Sequence, residues 1–473
     1  MRVSSLFANI GMKISTFIAI QETLWKFVIL EVNCKEKVKQ IIEDEEDHVE
    51  LNPYIMEHCK VAAEEYCSEY LVKSAHDEDL LECLIRSKPM MNQKPKCAAA
   101  ITHFQLITMK SMQFSKNFRE SCLEDVRKYC RINDPTNAKR DDVINCLSEV
   151  MLEEALEDGE SDHLSQKCHD ELLVQLYQQE EDIDLNPDLK SACEIDMASK
   201  CSSVTEHGFG KMLECLRQNF DSLSKPCKDA IFQEDIIAAR EEKVDYTLVN
   251  VCHGMINRYK CPEDELLDCL KASGMNIPSP REVYKDEPEF DQRCQEVIET
   301  RMMEHNYDYR LNPDLHKACN DDVKKFCSRL MDQHSSRHPS LLQGHVIQCL
   351  KDQMAQHPET LTQQCRNHVT VVMQEAAKDF RQNPTLRIAC RETIRSQCKN
   401  KQPDEMEECL KQAFLNRTDK KKNGMIIENE CKRQLENIIL AAQSDIHLDP
   451  ELYSVCMPYV RAFCKDVQRG DGR

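Results

Sequence analysis

Residues 185–201 read LNPDLKSACEIDMASKC. Asn186 is a strong helix cap, and Pro187 follows at the first helical position, where its missing N–H is no loss. Leu189, Cys193 and Met197 then fall four residues apart on one helical face, and Cys201 closes the stretch eight residues after Cys193. A helix with a fixed start and a cysteine-bearing apolar stripe is the reading. The same pattern recurs along the chain. Cap residues Asn52, Ser115, Asn186, Asp245, Asn312, Asn383 and Asp449 each stand seven residues before a cysteine, five of them followed by proline.

Working outward, a further cysteine lies 25 residues before each of these in all seven cases: Cys34 to Cys59, Cys97 to Cys122, Cys168 to Cys193, Cys227 to Cys252, Cys294 to Cys319, Cys365 to Cys390 and Cys431 to Cys456. The next step is eight residues, or nine between Cys252 and Cys261, and the two remaining intervals are elastic. Such periodicity is the signature of a repeat array. Four residues after each first cysteine stands an aliphatic residue (Val38, Ile101, Leu172, Ile231, Ile298, Val369, Leu435), which marks a helix face. A shorter helix carries the fourth cysteine, always followed by leucine, as in Leu80-Leu81-Glu82-Cys83-Leu84. The expectation is an all-α tandem array of disulfide-linked three-helix repeats: residues 34–96, 97–167, 168–226, 227–293, 294–364 and 365–430, then a truncated repeat at 431–473, after an uncertain N-terminal segment at 1–33.

Composition agrees. The 473 residues include 27 cysteines, about 6% of the chain, and only 10 glycines, which leaves few of the turns that sandwiches and phosphate loops require. A net charge of −21 argues against nucleic acid as a partner. No stretch approaches the roughly 20 apolar residues of a membrane-spanning helix. In the first 33 residues, Arg2 and Lys13 precede a short apolar run around Ile14, Phe17 and Ile18, without the long apolar centre and small-residue cleavage site of a secretory signal.

The second and third cysteines of a repeat are about 12 Å apart along one helix, too far to bond each other, so they face different neighbours. Sequence leaves three connectivities per repeat. An up-down-up packing favours first to third and second to fourth: Cys34–Cys67 and Cys59–Cys83, Cys97–Cys130 and Cys122–Cys146, Cys168–Cys201 and Cys193–Cys215, Cys227–Cys261 and Cys252–Cys269, Cys294–Cys327 and Cys319–Cys349, Cys365–Cys398 and Cys390–Cys409. Cys431 would then bond Cys464 and leave Cys456 unpaired, awaiting a fourth cysteine in an absent continuation.

The spacing Cys-x24-Cys-x7-Cys followed by a Cys-Leu pair, with the Asn-Pro helix start, resembles the repeat of the Golgi apparatus protein 1 family, also called cysteine-rich fibroblast growth factor receptor or E-selectin ligand 1. The resemblance covers residues 34–473. It implies a Golgi membrane glycoprotein of the secretory pathway, reaching the cell surface or secreted in some settings, whose luminal repeats bind growth factors or a selectin. Members carry more repeats and one membrane helix, so membrane attachment here would come only through a missing C-terminal helix. A structural luminal scaffold or an inhibitor-like secreted protein is the alternative.

From the residues themselves, paired cysteines in acidic helical repeats point to an oxidising compartment and a binding role. No nucleophile elbow, phosphate loop, His-Glu-x-x-His or Cys-x-x-Cys is present, so no enzyme, metal or cofactor is expected. His58, His169 and His253 stand beside cysteines as surface residues. Asn416-Arg417-Thr418 is a glycosylation sequon in an elastic interval, and Lys420, Lys421 and Lys422 offer an acidic glycan a small basic site or simply a solvated loop.

Overall fold

The computed structural model describes residues 32–72, 78–91, 94–109, 115–156, 164–205, 207–275, 290–331, 344–403, 405–416, 427–444 and 446–463, all helix, 3₁₀ turn or irregular chain with no strand among them. They form two compact units, residues 1–151 with 162–215, and 152–161 with 216–473. No helix among the described residues is long and apolar enough to cross a membrane.

Every expected cap is made. Asn52 accepts from the amides of Tyr54 and Ile55, Ser115 from Phe118, Asn186 from Leu189, Asp245 from Leu248, Asn312 from Leu315, Asn383 from Leu386 and Asp449 from Leu452. The helices so begun include Pro53–Tyr66, Lys116–Tyr129, Pro187–Lys200 and Pro313–Phe326. The third cysteine lies just past each helix rather than within it: Cys67, Cys130, Cys201 and Cys327 donate their amides to the carbonyls of Ala63, Val126, Met197 and Val323. The nine-residue step has a local cause. His253–Tyr259 ends on Lys260 in the left-handed conformation (φ 53°), one residue inserted before Cys261.

The first-cysteine helices, such as Val32–Asp47, Pro95–Thr108, Gln166–Glu181 and Gln363–Lys378, lead into one-turn 3₁₀ segments, among them Val49–Leu51 and Ile183–Leu185. These turns pack on both flanking helices, but the two helices themselves touch little. The principal partner of each second-cysteine helix is the first-cysteine helix that comes after it: Pro53–Tyr66 lies on Pro95–Thr108, Lys116–Tyr129 on Gln166–Glu181, and Pro313–Phe326 on Gln363–Lys378. The three-helix cluster is therefore shifted along the chain. It consists of a second-cysteine helix, a fourth-cysteine helix and the opening helix of the following repeat. The leucines after the fourth cysteines, Leu84, Leu147, Leu216, Leu270, Leu350 and Leu410, are all buried in such clusters.

The first unit also buries charge. Lys88 and Glu181 pair at 2.7 Å, both about 1% exposed, and Lys88 donates to Gln105, which donates in turn to Gln178. Burial raises the Glu181 carboxyl, against the pull of Lys88. Glu45, on the first described helix, accepts from the amide of the cap residue Asn52 at 3.2 Å.

Candidate functional site

The cysteines pair differently from the geometric expectation. Second cysteines bond the first cysteine of the following repeat: Cys59–Cys97, Cys122–Cys168, Cys252–Cys294, Cys319–Cys365 and Cys390–Cys431. Third cysteines bond fourth: Cys67–Cys83, Cys130–Cys146, Cys201–Cys215, Cys261–Cys269, Cys327–Cys349 and Cys398–Cys409. Cys193 and Cys227 are disulfide-bonded as well.

These bonds exclude all the expected first-to-third and second-to-fourth pairs. Cys67 bonds Cys83, not Cys34, and Cys59 bonds Cys97, not Cys83; the same exchange displaces Cys97–Cys130, Cys122–Cys146, Cys168–Cys201, Cys193–Cys215, Cys227–Cys261, Cys252–Cys269, Cys294–Cys327, Cys319–Cys349, Cys365–Cys398 and Cys390–Cys409. The expectation assumed that the first helix folds back on the second. The 3₁₀ turn and Asn-Pro start instead send the second helix to a new neighbour, while its two cysteines do face two different helices. Cys431 bonds Cys390, not Cys464; Cys464 and the side chain of Cys34 lie outside the described residues, and Cys456 is a free thiol.

A polar lock accompanies the disulfide at three joints. Asp125, three residues after Cys122, accepts from the hydroxyl (2.6 Å) and amide of Ser165, the cap of the following helix. Asp322, three after Cys319, accepts from the hydroxyl (2.7 Å) and amide (3.1 Å) of the cap Thr362. At the Cys390–Cys431 joint the roles are exchanged: Glu428 accepts from the amides of Glu392 and Thr393 and from the Thr393 hydroxyl. Burial works to raise the Glu428 carboxyl, but the Thr393 hydroxyl and these amides outweigh it and hold the group below its ordinary range. Sequence reasoning missed this lock, although its signal, an acid at +3 from one cysteine and a hydroxyl at −3 from the next, was present.

The second unit holds a mixed cavity of about 170 Å³, walled by Phe220, Phe232, Met303, Tyr307 and Leu311, with Arg217, Asp221 and Arg387 on its polar side. Its charges are paired before any ligand arrives. Arg217 donates twice to Asp235 (3.0 and 2.6 Å), and beside it Arg301 donates to Asp245, which also caps its helix. Burial raises Asp235 despite Arg217, whereas the Arg301 guanidinium outweighs burial at Asp245 and lowers it. Tyr307 donates to Asp221 and accepts from Arg387, whose guanidinium lies 5.3 Å from the Tyr307 ring centre. Burial, with Asp221, raises the Tyr307 hydroxyl above its ordinary value.

Elsewhere, His58 meets Tyr54 edge-on at 4.8 Å, and His253 is exposed beside Asn257. His169 is half-buried near Asp170. Among the described residues no group of three His, Cys, Asp or Glu side chains is placed to hold a metal ion. Asn416 closes the helix Met406–Asn416, but its side chain, the rest of the sequon and Lys420–Lys422 lie outside the described residues.

Helical repeats joined end to end by buried disulfides, each joint repeating one cysteine register, define a tandem cysteine-rich repeat protein. The cysteine rich repeat family model matches residues 33–90, 95–155, 166–224, 292–358, 363–418 and 429–473. The chain belongs to this family. The matched stretches leave out 225–291, the region of the nine-residue step. The chain is 33% identical to Golgi apparatus protein 1 of Mus musculus and of Homo sapiens over 448 residues, 94% of this chain and 36% of theirs. It is 28% identical to Golgi apparatus protein 1 homolog of Caenorhabditis elegans over 458 residues, 93% of this chain and 38% of that one. The chain thus spans little more than a third of the length of these relatives. No solved structure matches it.

Proposed function

We propose that this chain is a ligand-binding repeat region of a Golgi glycoprotein, facing the lumen or the cell exterior, that takes up secreted protein ligands of the fibroblast growth factor kind. The observation that carries this reading is the disulfide at each described joint. Bonds of this number persist only in an oxidising compartment, and they make a stiff frame on which binding surfaces keep their shape. The relatives bear the name of the Golgi apparatus. The net charge of −21 favours basic ligands, speeding their encounter. The cavity around Phe220 and Tyr307 has the mixed character of an anchor pocket, in which a ligand's apolar side chain is held beside paired charges. The reading is a binder and not an enzyme.

Surface plasmon resonance of the oxidised chain over an immobilised fibroblast growth factor tests it. Saturable binding is expected, weakened by added salt and lost when the chain is reduced. Tyr307→Ala should lower affinity by about tenfold or more if the pocket is the anchor. Absence of binding at about 10 µM, a concentration at which even transient encounters register, refutes the reading.

A further inference from the structure

We propose that the helix Pro450–Phe463 is an open half-joint that takes the helix Val32–Asp47 of a second copy of this chain, with Cys456 bonded to Cys34 of that copy. The inference does not rest on the growth-factor reading.

The argument is internal comparison. Cys456 is a second-position cysteine, and at five described joints its counterparts Cys59, Cys122, Cys252, Cys319 and Cys390 are bonded to a first-position cysteine and at most 1% exposed. Cys456 is a free thiol, half-buried. Three residues on, the position that reaches across the joint is held by Ala62, Asp125, Asp322 and Thr393, none more than 6% exposed, whereas Tyr459 is 67% exposed. Leu452, four residues before the cysteine, is 49% exposed, although Ile55, Phe118, Leu248, Leu315 and Leu386 at that register are buried. The helix thus displays the joint face that the other repeats cover.

The cover is known from those joints: a helix with cysteine at its start and an aliphatic residue four further on. In this chain Val32–Asp47 has that register, with Cys34 in the first position and Val38 four residues later. Val38 is only half-buried, whereas Ile101, Leu172, Ile231, Ile298, Val369 and Leu435 at the same register are buried. Both halves of one joint are therefore incompletely covered. Glu31 stands three residues before Cys34, the place Glu428 holds before Cys431, where a carboxylate accepts from Thr393. Tyr459 offers a hydroxyl from the Thr393 register. A contact between different faces of two copies is heterologous, so it propagates into chains or closes into rings. The bond forms by oxidation of two thiols, with loss of two protons and two electrons to a glutathione disulfide, which is reduced to two glutathione thiols.

The test uses the full chain incubated in a glutathione redox buffer, with light scattering, non-reducing electrophoresis and disulfide peptide mapping. Multimers joined by a Cys34–Cys456 peptide are expected. Cys34→Ser and Cys456→Ser should each remain monomeric alone, and an equal mixture of the two should give dimers and nothing larger, because each variant keeps one half of the joint. Tyr459→Glu retains every cysteine, places a like charge opposite Glu31, and should lower the multimer fraction about tenfold. Monomers with both thiols open to alkylation, a Cys34–Cys456 bond within one chain, dimers of Cys34→Ser alone, or multimers lacking this peptide would each overturn the proposal.

Discussion

Replacing Cys122 by alanine removes one buried sulfur and asks where its partner is. In the structure that partner is Cys168, 46 residues away on the opening helix of the next repeat. The first assay is alkylation of the unreduced, denatured variant. Label on Cys168 is expected beyond that on the thiols already free, whereas packing within one repeat would expose Cys146. The second assay measures stability in Cys122→Ala/Cys168→Ala, which leaves no stray thiol. A closed loop of 46 residues restrains the unfolded chain by about 4 kcal/mol in the chain-entropy model, against about 3 kcal/mol for the 16-residue loop of Cys130–Cys146. Amide exchange in Lys116–Tyr129 and Gln166–Glu181 should therefore accelerate roughly a thousandfold, since about 1.4 kcal/mol is a factor of ten. The Cys130–Cys146 double variant should show a smaller rise. New label on Cys146, or protection altered by less than about tenfold, refutes the joint as the main cross-link.

Asp322→Ala should cost about 1–3 kcal/mol, because the Thr362 hydroxyl and amide lose their carboxylate at a buried joint, and denaturant unfolding reads this directly. Lys88→Met leaves Glu181 buried without its cation and should destabilise the first unit by about 3–5 kcal/mol, while Lys88→Met/Glu181→Leu should recover most of that loss in the same titration. Burial, against the Asn52 hydrogen bond and with the nearby Asp44 charge, pushes Glu45 up to about 8. Its protonated form favours the fold, so its contribution is full below about 4.5 and is lost as pH rises towards 8. Melting curves should accordingly show Glu45→Gln matching the parent at pH 4.5 and exceeding it at pH 8. Protease cuts between residues 132 and 139 should release no fragment on a non-reducing gel and separate the pieces only after reduction, because this stretch lies inside the Cys122–Cys168 loop.

Local signals were legible in the sequence, and the pairing was not. The caps from Asn52 to Asp449 act on amides two or three residues away, so residue type and spacing suffice to find the helix starts. The buried leucines after the fourth cysteines were equally visible, because one apolar face per short helix leaves little choice. Connectivity depends on which helix lies beside which, and that is decided by the 3₁₀ turns Val49–Leu51 and Ile183–Leu185, whose few residues carry no signature of direction. The 25-residue step is constant, yet it separates two helices that scarcely touch. The cavity around Phe220, Tyr307 and Arg387 was hidden for another reason: it joins residues 80 or more positions apart with no shared motif.

The bonds from second to first cysteines also govern how the oxidised chain responds to tension. A pull along the backbone passes from Cys97 through 25 residues to Cys122, then across the sulfur bond to Cys168, bypassing the intervening coil and helices. Fully drawn out, that repeat yields roughly 85 Å of contour, where the 71 residues from Cys97 to Cys168 would yield about 240 Å once reduced. Each bypassed segment stays slack while the joint holds, so its surfaces keep their form in a stretched molecule. Reduction of one buried bond would release that hidden length in a single step, which makes the redox state of the joints the setting of the molecule's mechanical reach.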